Sequence, residues 1–530
     1  MMKKMIKPTG IFAPCYYSNY TSPQGKYAMM VLMKEFLGKI FKVRNFKFVV
    51  AFLLPALFIL CYNTKLDNDS WYVLAEGREI TTNGVYYEDP LSMHEDLDVT
   101  VQNYGFAAIF YWIFTVFGAP GIYLGMIILN FFVCFLVYKI CKLISGGNTN
   151  LSLLIMMVTD MLLALNFVVT RAQMVSFVFF LALIYVLELY VKTDKSKYLW
   201  WVPLLSILQI NLHASLWPML ILVLGVYIVD SIKKPKLHLQ GYRTKPLIIV
   251  LVATILCGLL NPYGFKMLTF IFTSYGDARF HGMVNELSSF SPFENIFAAF
   301  VYISLIAVVC MYIFGNSKNV RVRYLLMFFG FLALGLNTVK GLSQFILVMF
   351  FPLALMYKDV RLEKPFVDNK FARGALAFWI GMIVLLSFAI VCPVVASQIK
   401  DYPSEALVGA VDAIDADVKN RDDEPKIYTG YTGYNDGGYV EYRGYKAYLD
   451  PRGEVFLEKN NHKENILYEW DDFRRGKISA AELLEKYEFD YILTRKKQDS
   501  FYNLENENYE KLFENSEEHV QVYKRVAAHE

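Results

Sequence analysis

The chain of 530 residues is poor in charge, with 19% Asp, Glu, Lys and Arg against roughly 25% in ordinary soluble domains. It also lacks most signatures of soluble enzymes. It has no glycine-rich loop ending in Lys-Ser or Lys-Thr, no serine-nucleophile elbow and no zinc-type spacing of Cys and His. Nucleotide chemistry is therefore not indicated. Its seven cysteines, at 15, 61, 134, 141, 257, 310 and 392, all precede the polar C-terminal segment, so no disulfide framework is supported there. The net charge of +3 is too small to suggest a nucleic-acid partner. The first 32 residues hold no apolar stretch long enough for a signal h-region, and Met33-Lys-Glu-Phe-Leu-Gly-Lys reads like a natural bacterial start behind a disordered block. No internal repeat and no pair of interrupted helices marks a transporter.

What the chain does have is apolar residues, 55% of the total, gathered in blocks of bilayer-crossing length. These lie near 48–62, 121–138, 151–169, 172–191, 198–210, 214–231, 246–260, 294–314, 322–338, 341–357 and 374–396. The expected fold class is an α-helical polytopic membrane protein of about 11 spans. With a cytoplasmic N-terminus (1–47), the inside segments hold about 27 Lys and Arg, among them Lys139, Lys142, Lys233, Lys234, Arg321 and Arg323, and the outside loops about six. Residues 48–396 then form the membrane domain, with a first outer loop at 63–120. Block 104–117, too short to span before Gly118-Ala119-Pro120, reads as an interfacial helix with Tyr111 and Trp112 at headgroup level. Residues 69–82 read as a second one.

Residues 397–530 turn charged and Tyr-rich, and fall outside the cell under this topology. Strand-like runs at 426–428, 446–449, 490–494 and 519–523 alternate with helix-like stretches at 468–475 and 480–488, which predicts a small α/β extracytoplasmic domain.

Polar residues that membrane segments normally avoid gather at the outer ends of the spans. Arg171 and Gln173, Asn211 and His213, Asn261, Glu286, and Lys340 share a face with Asp67, Asp69 and Asp89. One outward cavity explains this economically. Two readings of the aspartates stand side by side: Asp67 or Asp69 caps the helix that starts near Ser70, or one acts as general base while its neighbour holds a divalent cation, Mg or Mn. Arg171 is an interfacial anchor or a phosphate fork, with Lys340 and Arg279 as rivals for that role. His213 is a packed histidine or a substrate or metal contact. Gln102 and Asn103 are interfacial contacts with a secondary site reading. The Tyr and Gly loop from Gly430 through Tyr434 and Asn435 to Tyr439 caps the membrane domain or binds sugar.

These residues resemble the GT-C class of membrane glycosyltransferases, which includes protein O-mannosyltransferases and lipid A aminoarabinose transferases. The likeness rests on Asp67-Asn68-Asp69, the helix Trp71 to Ile80, the helix ending at Phe117-Gly118, and the segment Asp69-x-Trp71 through Gly77-Arg78-x-Ile80 to Asp89-Pro90-x-Ser92, with Asn211-x-His213 and Asn261-Pro262-Tyr263-Gly264. It implies transfer of a sugar from a polyprenyl-phosphate donor to a glycolipid, wall-polymer or protein acceptor at the outer face of a bacterial plasma membrane. By position, Asp67 or Asp69 matches the acidic catalytic residue of the class, whereas its phosphate-binding basic residue maps onto no clear motif here and Arg171 is chosen on its chemistry. Arg78, Asp89, Arg171, Gln173, Asn211, His213, Glu286 and Lys340 are the expected substrate contacts. The rival classes are a lipid-linked substrate flippase, for which Asp160 is the informative residue, and a non-catalytic glycan assembly factor.

Overall fold

A computed structural model describes residues 46–62, 66–164, 167–232, 242–274, 278–289, 296–315, 320–356, 402–419, 425–429, 434–495, 504 and 508–526. The expected start at Met33 with its disordered block, the span at 374–396 and the loop residues 430–433 lie outside the described residues.

Helix α1 (Phe46–Tyr62) precedes α2 (Asn68–Asn83), the expected short helix of the first loop. Asp67 caps α2, accepting from Ser70 N, and Gly84 at φ 87° ends it. Helix α3 (Tyr104–Ile144) is broken at Gly118, whose φ of 64° and ψ of −162° leave the helical region, two residues before Pro120. The break separates the 104–117 segment from the following apolar run where the Gly-Ala-Pro sequence predicts it. Helices α4 (Thr149–Ala164), α5 (Gln173–Thr193), α6 (Trp201–Leu212), α7 (Pro218–Ser231), α8 (Thr244–Cys257), α9 (Phe265–Ser274), α10 (Ala278–Met283), α11 (Ile296–Gly315), α12 (Val322–Asn337), α13 (Val339–Val348) and α14 (Phe351–Met356) complete the apolar part. Four stretches among the described residues are long and apolar enough to cross a membrane: Tyr104–Ile144, Gln173–Thr193, Ala214–Ser231 and Val339–Met356. The remaining expected spans within the described residues are shorter apolar helices, and α9 falls in a loop where no helix was expected.

Arg323 does not behave as a loop charge. It is buried between Glu188 Oε1 at 2.8 Å and Asp230 Oδ2 at 2.9 Å, with Tyr227 donating to the same glutamate. Its charge is neutralised inside the bundle, which removes it from the positive-inside signal. Asp160 is likewise buried, accepting from Asn130 Nδ2 at 2.8 Å and Cys134 Sγ at 3.2 Å.

The C-terminal part holds a mixed five-stranded sheet. Strands β1 (Lys426–Thr429), β2 (Lys446–Ala447), β3 (Tyr491–Arg495), β4 (Tyr509–Asn515) and β5 (Val520–Arg525) lie in the order β2-β1-β3-β5-β4, parallel at β2-β1-β3 and antiparallel at β3-β5-β4. Four strands answer to the runs read in the sequence. The fifth, β4, has a charged face, and its alternation is too weak to announce a strand. Helix α15 (Glu405–Val418) buries Ala406, Leu407, Ala410, Val411 and Ile414 at helical spacing against Ile427, Leu493 and Val522.

This domain clasps α2 through α16 (Gly437–Tyr442). A Cβ at Gly438 would stand 3.0 Å from Tyr72, and one at Gly77 would stand 2.2 Å from the Ala107 carbonyl oxygen on α3, so α2 is held closely on two sides. Trp71 meets the Tyr439 and Tyr442 rings edge-on at 5.2 and 4.9 Å. Arg452, 3% exposed, forks onto Asp89 at 2.8 and 3.1 Å while also pairing with Asp450 at 2.7 Å. Replacing it strands these buried carboxylates: Arg452→Leu is expected to cost about 3–5 kcal/mol. Thermal unfolding of the detergent-solubilised full chain checks this, and an unchanged midpoint refutes it.

Candidate active site

The first turn of α2 meets the N-terminal end of α5. Arg171 lies in the tight turn before Gln173, where its N–H donates to the Val169 carbonyl at 2.8 Å. From there the guanidinium reaches Asp67 Oδ2 with Nε at 2.5 Å and Asp69 Oδ2 with Nη1 at 2.8 Å, and Nη1 also pairs with Glu286 of the 3-10 turn Asn285–Leu287. The side chains of Asp67, Asp69 and Arg171 keep only 24%, 22% and 23% of their surface exposed.

The two aspartates, two residues apart, are not equivalent. Asp67 Oδ1 accepts from Ser70 N at 3.0 Å and Ser70 Oγ at 2.6 Å, so this residue is both helix cap and arginine partner. Burial works against its charge, yet Arg171 and the Ser70 bonds outweigh it and hold the Asp67 carboxyl below its ordinary value. Asp69 has fewer donors: Asn68 Nδ2 at 2.9 Å and the shared guanidinium. Burial pushes it up to about 7 against the pull of Arg171, with Asp67 and Glu286 adding repulsion. Glu286 is also disfavoured by burial, but Arg171 and Lys340 bring it below its usual range.

A cavity of about 500 Å³ opens beside this cluster, and Asp69, Arg171, Gln173, His213, Glu286 and Lys340 all line it. Gln173 donates to Ser343 Oγ at 3.2 Å, fixing the start of α5 to α13, whose first turn carries Lys340 behind the Thr338 cap. His213 is hydrogen-bonded at both ring nitrogens, Nδ1 to Ser176 Oγ at 2.7 Å and Nε2 to Ser215 Oγ at 2.8 Å. Burial, and then the Lys340 charge, push it down to about 3. The imidazole that titrates near neutrality in sequence reasoning is thus held neutral, as a polar wall.

Four of the ten candidates, Asp67, Arg78, Asp89 and Asn211, are absent from this lining. Asp89 is the partner of Arg452 and turns its loop by accepting from Ser92 N at 3.2 Å. Arg78 donates to the Tyr442 and Glu441 carbonyls at 2.8 and 2.9 Å, clamping α2 to α16. Asn211 accepts from the Tyr104 hydroxyl and donates to the Ile207 and Leu260 carbonyls at 2.6 and 2.9 Å. Asp67 stands just behind the wall through Arg171. Sequence reasoning missed Glu76, Thr100, Arg452, Glu454, Trp470 and Arg474, which also line the cavity. Glu76 is legible by helical spacing, seven residues or about two turns beyond Asp69. The residues from the C-terminal domain carry no local signal.

The pair Asp67 and Asp69, expected to hold Mg or Mn, is instead closed on a guanidinium, and among the described residues no three His, Cys, Asp or Glu side chains gather so as to hold a metal ion. No chemical step is drawn through a cation.

No protein-family model matches the sequence, and comparison with curated proteins finds no match. The fold does match solved structures. The archaeal oligosaccharyltransferase AglB from Archaeoglobus fulgidus, in complex with an inhibitory peptide and a dolichol-phosphate, aligns with a TM-score of 0.59 at 10% identity, over 91% of this chain and 74% of that one. The oligosaccharyltransferase of the same organism tethered to an acceptor peptide containing the NVT sequon gives 0.53 at 10% identity, with the same coverage. The arabinofuranosyltransferase AftD from Mycobacteria gives 0.50 at 12% identity over 92% of this chain, which spans 40% of AftD. Over about nine-tenths of its length the chain is structurally similar to these polytopic membrane glycosyltransferases of the GT-C class, and at such identities the likeness is one of fold.

With the imidazole neutral, His213 is expected to show no titration between about pH 5 and 8. In labelled-histidine NMR the resonances missing from His213→Asn should stay fixed over that range, and a midpoint near the ordinary 6.5 would contradict the burial described.

Proposed function

We propose that the protein is a membrane glycosyltransferase that moves a sugar from a polyprenyl-phosphate carrier to an acceptor hydroxyl or amide at the outer face of a bacterial plasma membrane. The observation that carries this reading is the carboxylate Asp69, raised to about 7, in contact with Arg171 on the wall of an open cavity. A base is most effective when its pKa lies near the working pH. Asp69 meets that condition and Asp67, held low, does not. Asp67 instead orients Arg171 and caps the helix that presents Asp69.

In this reading Asp69 takes the proton of the acceptor as its heteroatom attacks the anomeric carbon. The bond from that carbon to the phosphate oxygen breaks with inversion, and the polyprenyl phosphate leaves. The three acidic contacts of Arg171 use Nε and Nη1, which leaves Nη2 as the donor for a phosphate oxygen as the negative charge develops. Lys340 acts on the same cavity electrostatically, stabilising the ionised forms of Asp69 and Glu286. That AglB was solved with a dolichol-phosphate supports a lipid-phosphate donor here. Residues of the C-terminal part, among them Tyr434, Arg452, Glu454 and Trp470, complete the wall of the cavity. Glycan assembly without catalysis, or flipping without bond formation, predicts no dependence of product on Asp69.

Asp69→Asn is expected to lower turnover of a polyprenyl-phosphate sugar by roughly 10²–10⁴-fold with folding intact, and Asp67→Asn by about 10²-fold through misplacement of Arg171. Full activity in both variants removes the role assigned to the pair. Because the base must be ionised, kcat/KM should rise with pH and level off above a midpoint near 7. A rate that is flat from about pH 5 to 8, or one that falls as pH rises through this range, contradicts Asp69 as the base.

A further inference from the structure

The cavity extends along α2 well past Asp69. Glu76 lies on the same face, seven residues and about 10 Å further along the helix axis, and its chemistry is unlike that of the arginine cluster. It is 2% exposed and lines the cavity, yet Oε2 has no hydrogen-bond partner, and Oε1 has only the Arg452 guanidinium at 3.8 Å. Thr100, also 2% exposed and on the cavity wall, has an unpartnered Oγ1. Two buried polar side chains with unmet hydrogen bonds on one cavity wall are costly unless a ligand completes them. Beside them Glu454 accepts from Gln102 Nε2, and the Tyr434 and Trp470 rings meet edge-on at 5.6 Å, all four lining the same space.

We propose that this end of the cavity is an acceptor subsite for a neutral, hydroxyl-rich sugar ring, whose hydroxyls donate to Glu76 and Glu454 and exchange a hydrogen bond with Thr100 while its apolar face lies against Tyr434 or Trp470. The assignment to the acceptor rests on the transfer reading above: a donor ring must have its anomeric carbon at the phosphate beside Arg171, so a ring about 10 Å away belongs to the other substrate. Charge selects the class. An anionic ligand gains nothing from two carboxyl groups that have no charge of opposite sign to offer it. An ammonium meets Arg452, whose charge already lies 3.8 Å from Glu76, and Arg474, which stacks 4.9 Å from the Trp470 ring. Burial raises the carboxyl groups of both Glu76 and Glu454, Glu76 to about 8, which further weakens any call for a cation and suits bonds with hydroxyl groups.

The test is a binding measurement on the detergent-solubilised full chain by saturation-transfer NMR, with neutral methyl hexosides and pentosides as probes and glucosamine and glucuronate as charged controls. Neutral glycosides should bind, and Glu76→Leu and the same-shaped Thr100→Val should each weaken them at least tenfold. Asp69→Asn should leave this binding unchanged while abolishing turnover, so the subsite and the catalytic reading fail separately. A second arm repeats the titration with farnesyl-phosphate mannose present: retention of the glycoside supports an acceptor subsite, and competitive loss assigns the ring to the donor and overturns the proposal. Preference for a charged control, or binding indifferent to both variants, overturns it as well.

Discussion

The clasp of Arg452 on Asp89 and Asp450 is the interaction on which the site geometry depends. It joins the loop after α2 to the C-terminal domain through a fully buried guanidinium. Buried ion pairs return little net stability, because desolvating the charges costs about what the attraction gives. What they supply is uniqueness of arrangement: no shifted docking of the domain would satisfy Asp89 and Asp450 together. The consequences reach the chemistry directly. With the domain fixed, Gly438 comes against Tyr72, Arg78 clamps α16, and α2 can present Asp69 to Arg171 in one orientation.

The division of labour between Asp67 and Asp69 follows from a difference in donors, not from residue type. Both are buried beside the same arginine. Asp67 stands where the helix leaves its backbone N–H groups unpaired and takes two bonds from Ser70. Asp69, two residues later, receives only Asn68 and a share of the guanidinium. The capping reading is met by Asp67, and the base proposed above is the other aspartate. A divalent cation between the two would lower both carboxyl groups and erase the distinction that the guanidinium preserves.

Much of the fold was legible because it follows from local rules. Apolar blocks announced helices, Gly118 and Pro120 announced the break in α3, and alternation announced four of five strands. Convergence of Asp69, Arg171, Gln173, His213, Glu286 and Lys340 on one cavity followed from charge-based topology plus the cost of polar groups at span ends. That reasoning failed where a polar residue had a local partner invisible in sequence. Asn211 is consumed by Tyr104 and two carbonyls, and Asp89 by an arginine 363 residues away. The same separation explains why the C-terminal contributors to the cavity were missed, since nothing within a window around Glu454 or Trp470 refers to α2.

Helix α5 shows why burial of charge alone does not mark a functional site. Its first residue, Gln173, lines the cavity, whereas Glu188, about 22 Å further along the axis, sits in a network of Arg323, Asp230 and Tyr227 just as polar. In that network each charge meets an opposite charge or a hydroxyl at hydrogen-bonding distance, and it joins α5, α7 and α12. At the cavity end the count does not close: three carboxylates share one guanidinium, Asp69 is left near its point of protonation, and Glu76 and Thr100 keep atoms without partners. A folded chain tolerates such deficits where binding removes them. The incomplete satisfaction of its polar groups, more than their number, sets this cavity apart as the place proposed for substrate.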